Sequence, residues 1–169
     1  MSYVKPEYGG LGLDFRYNAV VSEELAYAGS SAEITLQSDI MAEYLERYGS
    51  EEHKHKYLPG MITGECIVAV AMTEPGSDLQ GVRTSAKRDG NFYILNGSKT
   101  YIINGQTADL IIVVAKTDPV AGTKGISLIL VDADNPGFRR GRNLDKIGQN
   151  SADTSELFFE NARIPLPTV

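Results

Sequence analysis

The 169-residue sequence carries a net charge of −6, with 42% apolar and 22% charged residues. This composition is that of a globular protein large enough for one large domain or two small ones. The negative charge argues against a general nucleic-acid surface. No apolar run reaches the roughly 20 residues that span a bilayer, and the first residues lack the apolar segment of a secretory signal. We therefore expect no membrane span and a cytoplasmic location.

The first third of the chain has the patterns of helices. Amphipathic spacing predicts one helix at residues 17–28 and a second at residues 34–48, each followed by a glycine. Ser50 is a typical N-cap for a third helix, which we expect Pro59 and Gly60 to interrupt. These elements predict a short helical N-terminal segment that occupies residues 1–64.

Near Cys66 the spacing changes from that of helices to that of strands. Strands are predicted, in chain order, at residues 82–87, 92–95, 99–103, 110–115, 126–131 and 156–159. Asp89-Gly90, Asn96-Gly97 and Pro136-Gly137 are turn signals between them. Residues 110–114 are apolar on both faces, which predicts burial on both. The fold class is therefore α+β, with an antiparallel β-barrel or two packed sheets at residues 65–169.

A turn rich in hydrogen-bonding groups follows the β-forming residues 66–71. Residues 72–78 read M-T-E-P-G-S-D. Pro75 fixes φ and Gly76 allows close backbone approach, so N–H groups and hydroxyls can face a ligand phosphate. The alternative is an ordinary β-turn in which Ser77 and Asp78 cap their own backbone.

A second motif, N-G-S-K-T-Y-I-I-N-G at residues 96–105, reads as strand, turn and strand. The two motifs together resemble the flavin-binding middle domain of the acyl-CoA dehydrogenase family, where they read M-T-E-P-x-x-G-S-D and N-G-x-K-x-aromatic-I-[ST]-N-G. Residues 6–12, P-E-Y-G-G-L-G, resemble the family's N-terminal domain. Residues 153–159, D-T-S-E-L-F-F, resemble the last strand of its middle domain. The resemblance therefore covers nearly the whole chain.

The resemblance implies that the turn contacts FAD. Met72 and Thr73 would lie along the isoalloxazine ring, with Thr73 offering a hydroxyl or N–H group to its pyrimidine side. Gly76 and Ser77 would lie at the pyrophosphate, and Ser77 would alternatively contact the acyl-CoA substrate. Family loops place two more residues between Pro75 and the G-S-D triplet, so this loop lacks two N–H donors and up to roughly 7 Å of reach.

The resemblance also implies that Tyr101, Ile102 and Ile103 contact the flavin, with Tyr101 packing on the ring. Ile103 occupies the position of a serine or threonine whose hydroxyl meets flavin N5 in the family. In this chain the Ile103 backbone N–H is the donor that remains for flavin N5. The alternative is that all three residues belong to a strand with ordinary alternating packing.

The family function implied is α,β-dehydrogenation of a fatty acyl-CoA, with electrons passed to an electron-transfer flavoprotein. The wording is closest to long-chain-type and bacterial members. Family members are homo-oligomers and take their glutamate base from a C-terminal helical domain, which we expect this chain to lack. The chain is then a fragment that is inactive alone. One alternative is a non-enzymatic remnant that acts as a binding or assembly module, and another is an oxidase or monooxygenase.

Two other groups of residues are interpreted as structural. His53 and His55 are two apart on a predicted helix, so they make a poor metal pair and are expected to be exposed. A basic cluster is interpreted as a solvated loop in preference to a site for a CoA phosphate or a partner chain; its members are Arg139, Arg140, Arg142 and Lys146.

Overall fold

The computed structural model of the chain describes residues 1–30, 34–76 and 81–166. The chain divides into two compact units. The helical unit contains Met1–Ile67 and Lys146–Ala152, and the β unit contains Val68–Asp145 and Asp153–Val169. Within the described ranges, no helix is both long enough and apolar enough to cross a membrane.

The described α-helices of the helical unit are α1, Phe15–Tyr27, α2, Ala42–Tyr48, and α3, Glu51–Thr63. A π-helical segment, Leu36–Met41, leads directly into α2. Two helices begin at short polar side chains, because such side chains satisfy first-turn N–H groups. Asp14 accepts a hydrogen bond from the Arg16 N–H, and Ser50 accepts one from the His53 N–H. The predicted N-cap of the third helix is therefore confirmed.

The helices predicted at residues 17–28 and 34–48 are confirmed, although α1 begins two residues earlier and the second contains the π-helical segment. The prediction that Pro59 and Gly60 interrupt the third helix is wrong, because α3 continues through both. Pro59 removes one backbone donor. The buried side chains of Leu58 and Met61 hold the helix on either side of it, and apolar burial of this size outweighs one lost hydrogen bond.

The described part of the β unit contains these strands: β1, Val68–Ala71; β2, Ser85–Asp89; β3, Phe92–Ile103; β4, Leu110–Lys116; β5, Ile126–Asp132; β6, Phe138–Asn143; β7, Thr154–Pro165. Their order is β1-β4-β2-β3-β7-β6, and β5 also pairs with β4. All belong to one curled sheet, so the α+β class with a barrel-type β-domain is confirmed. The expectation of wholly antiparallel pairing needs a correction, because β1 runs parallel to β4.

Strand β4 lies at the centre of the sheet core. Leu110–Ala115 are all buried, which confirms the prediction of burial on both faces. β4 pairs with β1 and with β5, and its side chains pack with those of the neighbouring strands. The cluster around it includes Ile111, Val113, Ile129, Val131, Leu157 and Phe159.

Strand β3 continues through Asn96-Gly97, so the prediction of a turn at this dipeptide is wrong. The dipeptide instead forms a bulge, where the register with β7 shifts between Leu95 and Gly97. Gly97 has φ of 153°, and a Cβ there would lie 2.3 Å from Thr84 Oγ1. Only glycine fits at this close approach. The turn predicted at Asp89-Gly90 is confirmed, since it joins β2 to β3.

Candidate functional site

The candidate site begins at Met72 and Thr73, where the chain leaves β1. Both residues are half-buried. The Thr73 carbonyl accepts a hydrogen bond from the Thr100 N–H at 2.9 Å, and the Met72 carbonyl accepts one from Lys99 Nζ at 3.1 Å. These two bonds hold the segment against the middle of β3. They use the carbonyl of Thr73 and leave its hydroxyl as the group that can face a ligand.

A second irregularity in β3 exposes the ring of Tyr101. The register with β7 shifts between Lys99 and Ile102, and Tyr101 adopts the left-handed conformation with φ of 57°. That conformation costs a residue other than glycine about 1–2 kcal/mol. Tyr101 is 67% exposed, whereas Ile102 is 2% exposed. The bulge therefore turns an aromatic ring out of the core, one residue from the Thr100 amide that bonds to Thr73.

The structure distributes the other predicted site residues differently. The Ile102 side chain belongs to the hydrophobic core of the β unit, so only its backbone remains for a ligand. Ile103 is half-buried at the end of β3. Gly76 is exposed with φ of 114°, and a Cβ there would meet nothing within 4 Å. Ser77 lies outside the described residues.

An ion pair that sequence reasoning missed lies beside Met72 and Thr73. Lys99 Nζ is 2.8 Å from Glu74 Oε1, and the exposed fractions of the two side chains are 0% and 10%. Glu74 also accepts hydrogen bonds from the Arg83 N–H at 2.7 Å and the Thr84 N–H at 3.0 Å. Charged residues are ordinarily exposed. One signal in the sequence could have found this pair: the first motif contains the acidic residue Glu74, and the second contains the basic residue Lys99.

Burial and hydrogen bonding act against each other on the ionisation of this pair. Burial opposes ionisation of Glu74, but hydrogen bonds from Lys99, Thr84 and Arg83 outweigh it and lower the pKa of Glu74 from 4.5 to about 2. Burial is the largest influence on Lys99 and lowers its pKa, although the Glu74 carboxylate opposes this change. The carboxylate is therefore ionised at neutral pH and down to strongly acidic pH.

The low pKa of Glu74 predicts a loss of stability in acid. Folded Glu74 has a pKa of about 2, below the ordinary value of 4.5, so its contribution is present above pH 4.5 and is lost as pH falls toward 2. We expect this loss to reach at most about 3 kcal/mol of unfolding free energy. Urea unfolding between pH 6 and pH 2 measures it. The Glu74→Gln variant should have a flatter profile, and parallel profiles of the two proteins would contradict the assignment.

The interpretation of the basic cluster as a solvated loop is correct only in part, because Arg139 and Arg142 are exposed whereas Arg140 and Lys146 are half-buried. Three of its members lie on β6, which the sequence pattern did not predict because its charged residues hide the strand alternation. The Arg140 guanidinium donates hydrogen bonds to the carbonyls of Gly105 at 3.1 Å and Ala108 at 2.6 Å. Lys146 Nζ donates to the Ala152 carbonyl at 2.5 Å. Both cations therefore hold backbone segments in place.

The two histidines of α3 differ in exposure, and among the described residues no group of three or more histidine, cysteine, aspartate or glutamate side chains could hold a metal ion. His55 is exposed, as expected, and its ring meets that of Tyr8 edge-on at 5.1 Å. His53 is half-buried and packs near Tyr57, with ring centroids 6.3 Å apart. The expectation that His53 is exposed is therefore wrong, and the Tyr57 ring on the same helix lies beside it.

The helical unit and the curled, largely antiparallel sheet make this an α+β protein with a helical domain and a β-domain. In the β-domain, Met72 and Thr73 are held against the bulged strand β3. The family model for the N-terminal domain of acyl-CoA dehydrogenase matches residues 1–65, and the model for its middle domain matches residues 69–162. The chain therefore belongs to the acyl-CoA dehydrogenase family, whose members are oxidoreductases.

Individual relatives agree with this assignment. The chain is 50% identical to the mitochondrial long-chain specific acyl-CoA dehydrogenase of Sus scrofa, covering 96% of this chain and 39% of that protein. It is 41% identical to the mitochondrial isovaleryl-CoA dehydrogenase of Solanum tuberosum, covering 96% and 40%. The crystal structure of an acyl-CoA dehydrogenase from Geobacillus kaustophilus has a TM-score of 0.92 and 52% identity, covering 96% of this chain and 44% of that one. The chain thus spans about two fifths of the curated relatives' length.

Proposed function

We propose that this chain is part of an FAD-dependent acyl-CoA dehydrogenase and that its β unit supplies contacts to the flavin. The observation that supports the proposal most is the arrangement around Thr73. Its hydroxyl lies on a segment hydrogen-bonded to Thr100, and the exposed aromatic ring of Tyr101 follows in the chain. When bound, FAD supplies a hydride acceptor for the β-carbon of an acyl-CoA.

The residues present fit a flavin. Thr73 offers a hydroxyl to the polar edge of the ring system, and Met72 beside it offers a flexible apolar side chain. Tyr101 offers an aromatic surface that stacks on a flat heterocycle. Ile103 offers only a backbone N–H as a donor, and the open backbone at Gly76 allows a phosphate to approach closely. In this chain the donors are therefore chiefly backbone groups and the Thr73 hydroxyl.

For the whole protein we propose a long-chain fatty acyl-CoA as the substrate class. The support is the 50% identity to a long-chain specific enzyme against 41% to an isovaleryl-CoA enzyme. Electron transfer to an electron-transfer flavoprotein and assembly into a homo-oligomer complete the proposal, and both rest on family membership. The cytoplasmic location stays a prediction. No residue of this chain is proposed as the base that removes the α-proton.

Replacing Tyr101 should weaken FAD binding without lowering the stability of the chain. We expect Tyr101→Gly to weaken FAD affinity about tenfold through the loss of aromatic stacking. The free energy of unfolding should stay unchanged or rise by up to about 1 kcal/mol, because glycine relieves the left-handed conformation. Fluorescence titration and urea unfolding measure the two quantities. Tyr101→Phe is the matched control, which keeps the ring and should keep the affinity. Unweakened FAD binding by Tyr101→Gly would contradict the assigned contact.

The catalytic part of the proposal is tested by an assay of the purified chain with added FAD, a saturated long-chain acyl-CoA and an electron-accepting dye. We expect no turnover, because no glutamate of this sequence matches a base motif of the family. Measurable dehydrogenation by the chain would contradict that expectation and would require a base among its own carboxylates.

The second candidate function is a non-enzymatic binding or assembly module that keeps the fold. Two sequence observations favour it, namely the turn that lacks two residues between Pro75 and the G-S-D triplet and the isoleucine at position 103. Both fall on predicted cofactor contacts, whereas the core of the β unit is complete around β4. The two candidates differ in their response to FAD, since only a flavoprotein binds it saturably.

A further inference from the structure

Stability alone does not explain why the buried positions 74 and 99 carry an ion pair and not apolar residues. Lys99 is among the largest fully buried side chains of the chain, and Glu74 is only 10% exposed. Removing two charges from water costs several kcal/mol per ion, and well-packed apolar residues are often as stable or more stable at such positions. A pair of this kind is therefore weak evidence for stabilisation, and its contacts indicate what else it does.

The contacts of the pair converge on the segment that leaves β1. Lys99 Nζ donates to the Met72 carbonyl and to the Glu74 carboxylate, at 3.1 and 2.8 Å. An ammonium group has three donors and no acceptor, so it joins these two acceptors without competing for a donor. The next residue of β3, Thr100, donates to the Thr73 carbonyl at 2.9 Å. Met72 and Glu74 are thus bonded to Lys99, and Thr73 is bonded to Thr100, the next residue of β3.

Glu74 also forms hydrogen bonds with the two residues that precede β2. Its two carboxylate oxygens accept the backbone N–H groups of Arg83 and Thr84. Thr84 is 1% exposed, and its Oγ1 would lie 2.3 Å from a Cβ at Gly97. The Glu74 carboxylate therefore connects its own segment to Arg83 and Thr84 and, through Lys99, to β3. Removing either charge leaves the other one buried without its ionic partner.

We infer that Glu74 and Lys99 are positioning residues for the cofactor: together they fix Met72 and Thr73 in the orientation in which these residues contact a flavin. The inference rests on the proposed flavin-binding function. It assigns no contact with the flavin to either charged side chain, since both are buried behind the segment they hold.

The test compares single and double replacements. Lys99→Met leaves an unpaired buried carboxylate, so it should lower both stability and FAD affinity. The double variant Glu74→Gln/Lys99→Met keeps the side-chain volumes and removes both charges, so its urea midpoint should exceed that of Lys99→Met. Its FAD dissociation constant should nevertheless stay at least about tenfold above that of the unaltered chain, because the bond to the Met72 carbonyl is still missing.

Ile129→Ala is the stability control, because Ile129 is fully buried on β5 and belongs to none of the proposed flavin contacts. It should lower the urea midpoint and keep the FAD affinity within about twofold. Amide hydrogen exchange without FAD gives a second readout. Exchange at the Thr100 N–H should be faster in the double variant than in the unaltered chain, since the Thr73 carbonyl that accepts its bond is less firmly held.

The outcomes separate the inference from the function on which it rests. Equal FAD affinity of the double variant and the unaltered chain, or unchanged exchange at Thr100, would overturn the positioning role alone. Absence of FAD binding by the unaltered chain would refute the proposed function, and the positioning role toward a flavin with it. Weaker FAD binding with recovered stability and faster Thr100 exchange would support the inference.

Discussion

Gly97→Ala is expected to destabilise the β unit by about 3 kcal/mol or more. A Cβ at this position would lie 2.3 Å from Thr84 Oγ1 and 2.7 Å from Thr84 Cα. Because the Cα atom belongs to the backbone, no side-chain rotation relieves the second contact, and the φ of 153° adds further strain for a residue with a Cβ. A loss of this size lies at the upper end of the range for overpacked sites.

Gly90→Ala is the matched control for this substitution. Gly90 lies in the turn that leads into the same strand and has φ of 58°, but a Cβ there would meet nothing within 4 Å. Its replacement should cost only about 1 kcal/mol, the price of the left-handed conformation. Urea midpoints of the two variants give the comparison. Equal losses would contradict the steric explanation and would leave backbone conformation as the sole cause.

The second large effect is expected from lengthening the polar turn. Inserting two residues, alanine and glycine, between Gly76 and Ser77 restores the spacing of the family motif. If each restored N–H donor contributes about 1–1.5 kcal/mol, the gain approaches a hundredfold in FAD affinity. The same change should leave the urea midpoint almost unaffected, because Gly76 is exposed and two additional residues add little closure entropy.

A control variant distinguishes the effect of the length of the turn from the effect of its amino-acid composition. Replacing Gly76 with alanine keeps the short turn and removes only the positive-φ glycine, whose φ is 114°. That variant should bind FAD no more tightly than the unaltered chain. The explanation fails if the insertion leaves the FAD dissociation constant unchanged, since the turn then contributes no donors to the pyrophosphate at either length.

The helices and the central strand could be predicted from local patterns because burial follows the period of each element. Residues 110–114 are the simplest case, as an apolar run between turn signals. Pro59 misled the prediction of α3, since a rule about an isolated helix cannot include the burial of Leu58 and Met61. Asn96-Gly97 misled the prediction of a turn, because a turn and a bulge favour the same dipeptide.

The candidate site could be predicted only in part, because its geometry depends on contacts between residues that are distant in the sequence. The position of Tyr101 on an exposed surface depends on a register shift against β7, a strand more than fifty residues away. The Lys99–Glu74 pair joins positions 25 residues apart, and nothing local marks either side chain as buried. Arg140 was likewise assigned to solvent because its acceptors, two backbone carbonyls, carry no signal in their residue types.

Titration of the unaltered chain with FAD, followed by flavin fluorescence and visible absorbance, measures whether the β unit contacts a flavin. We expect saturable binding, with a shift of the flavin spectrum on entering a partly apolar site, and weaker binding than that of the lengthened variant. Unchanged flavin spectra and no saturation with either protein would contradict the proposed flavin contacts and would favour the binding or assembly module.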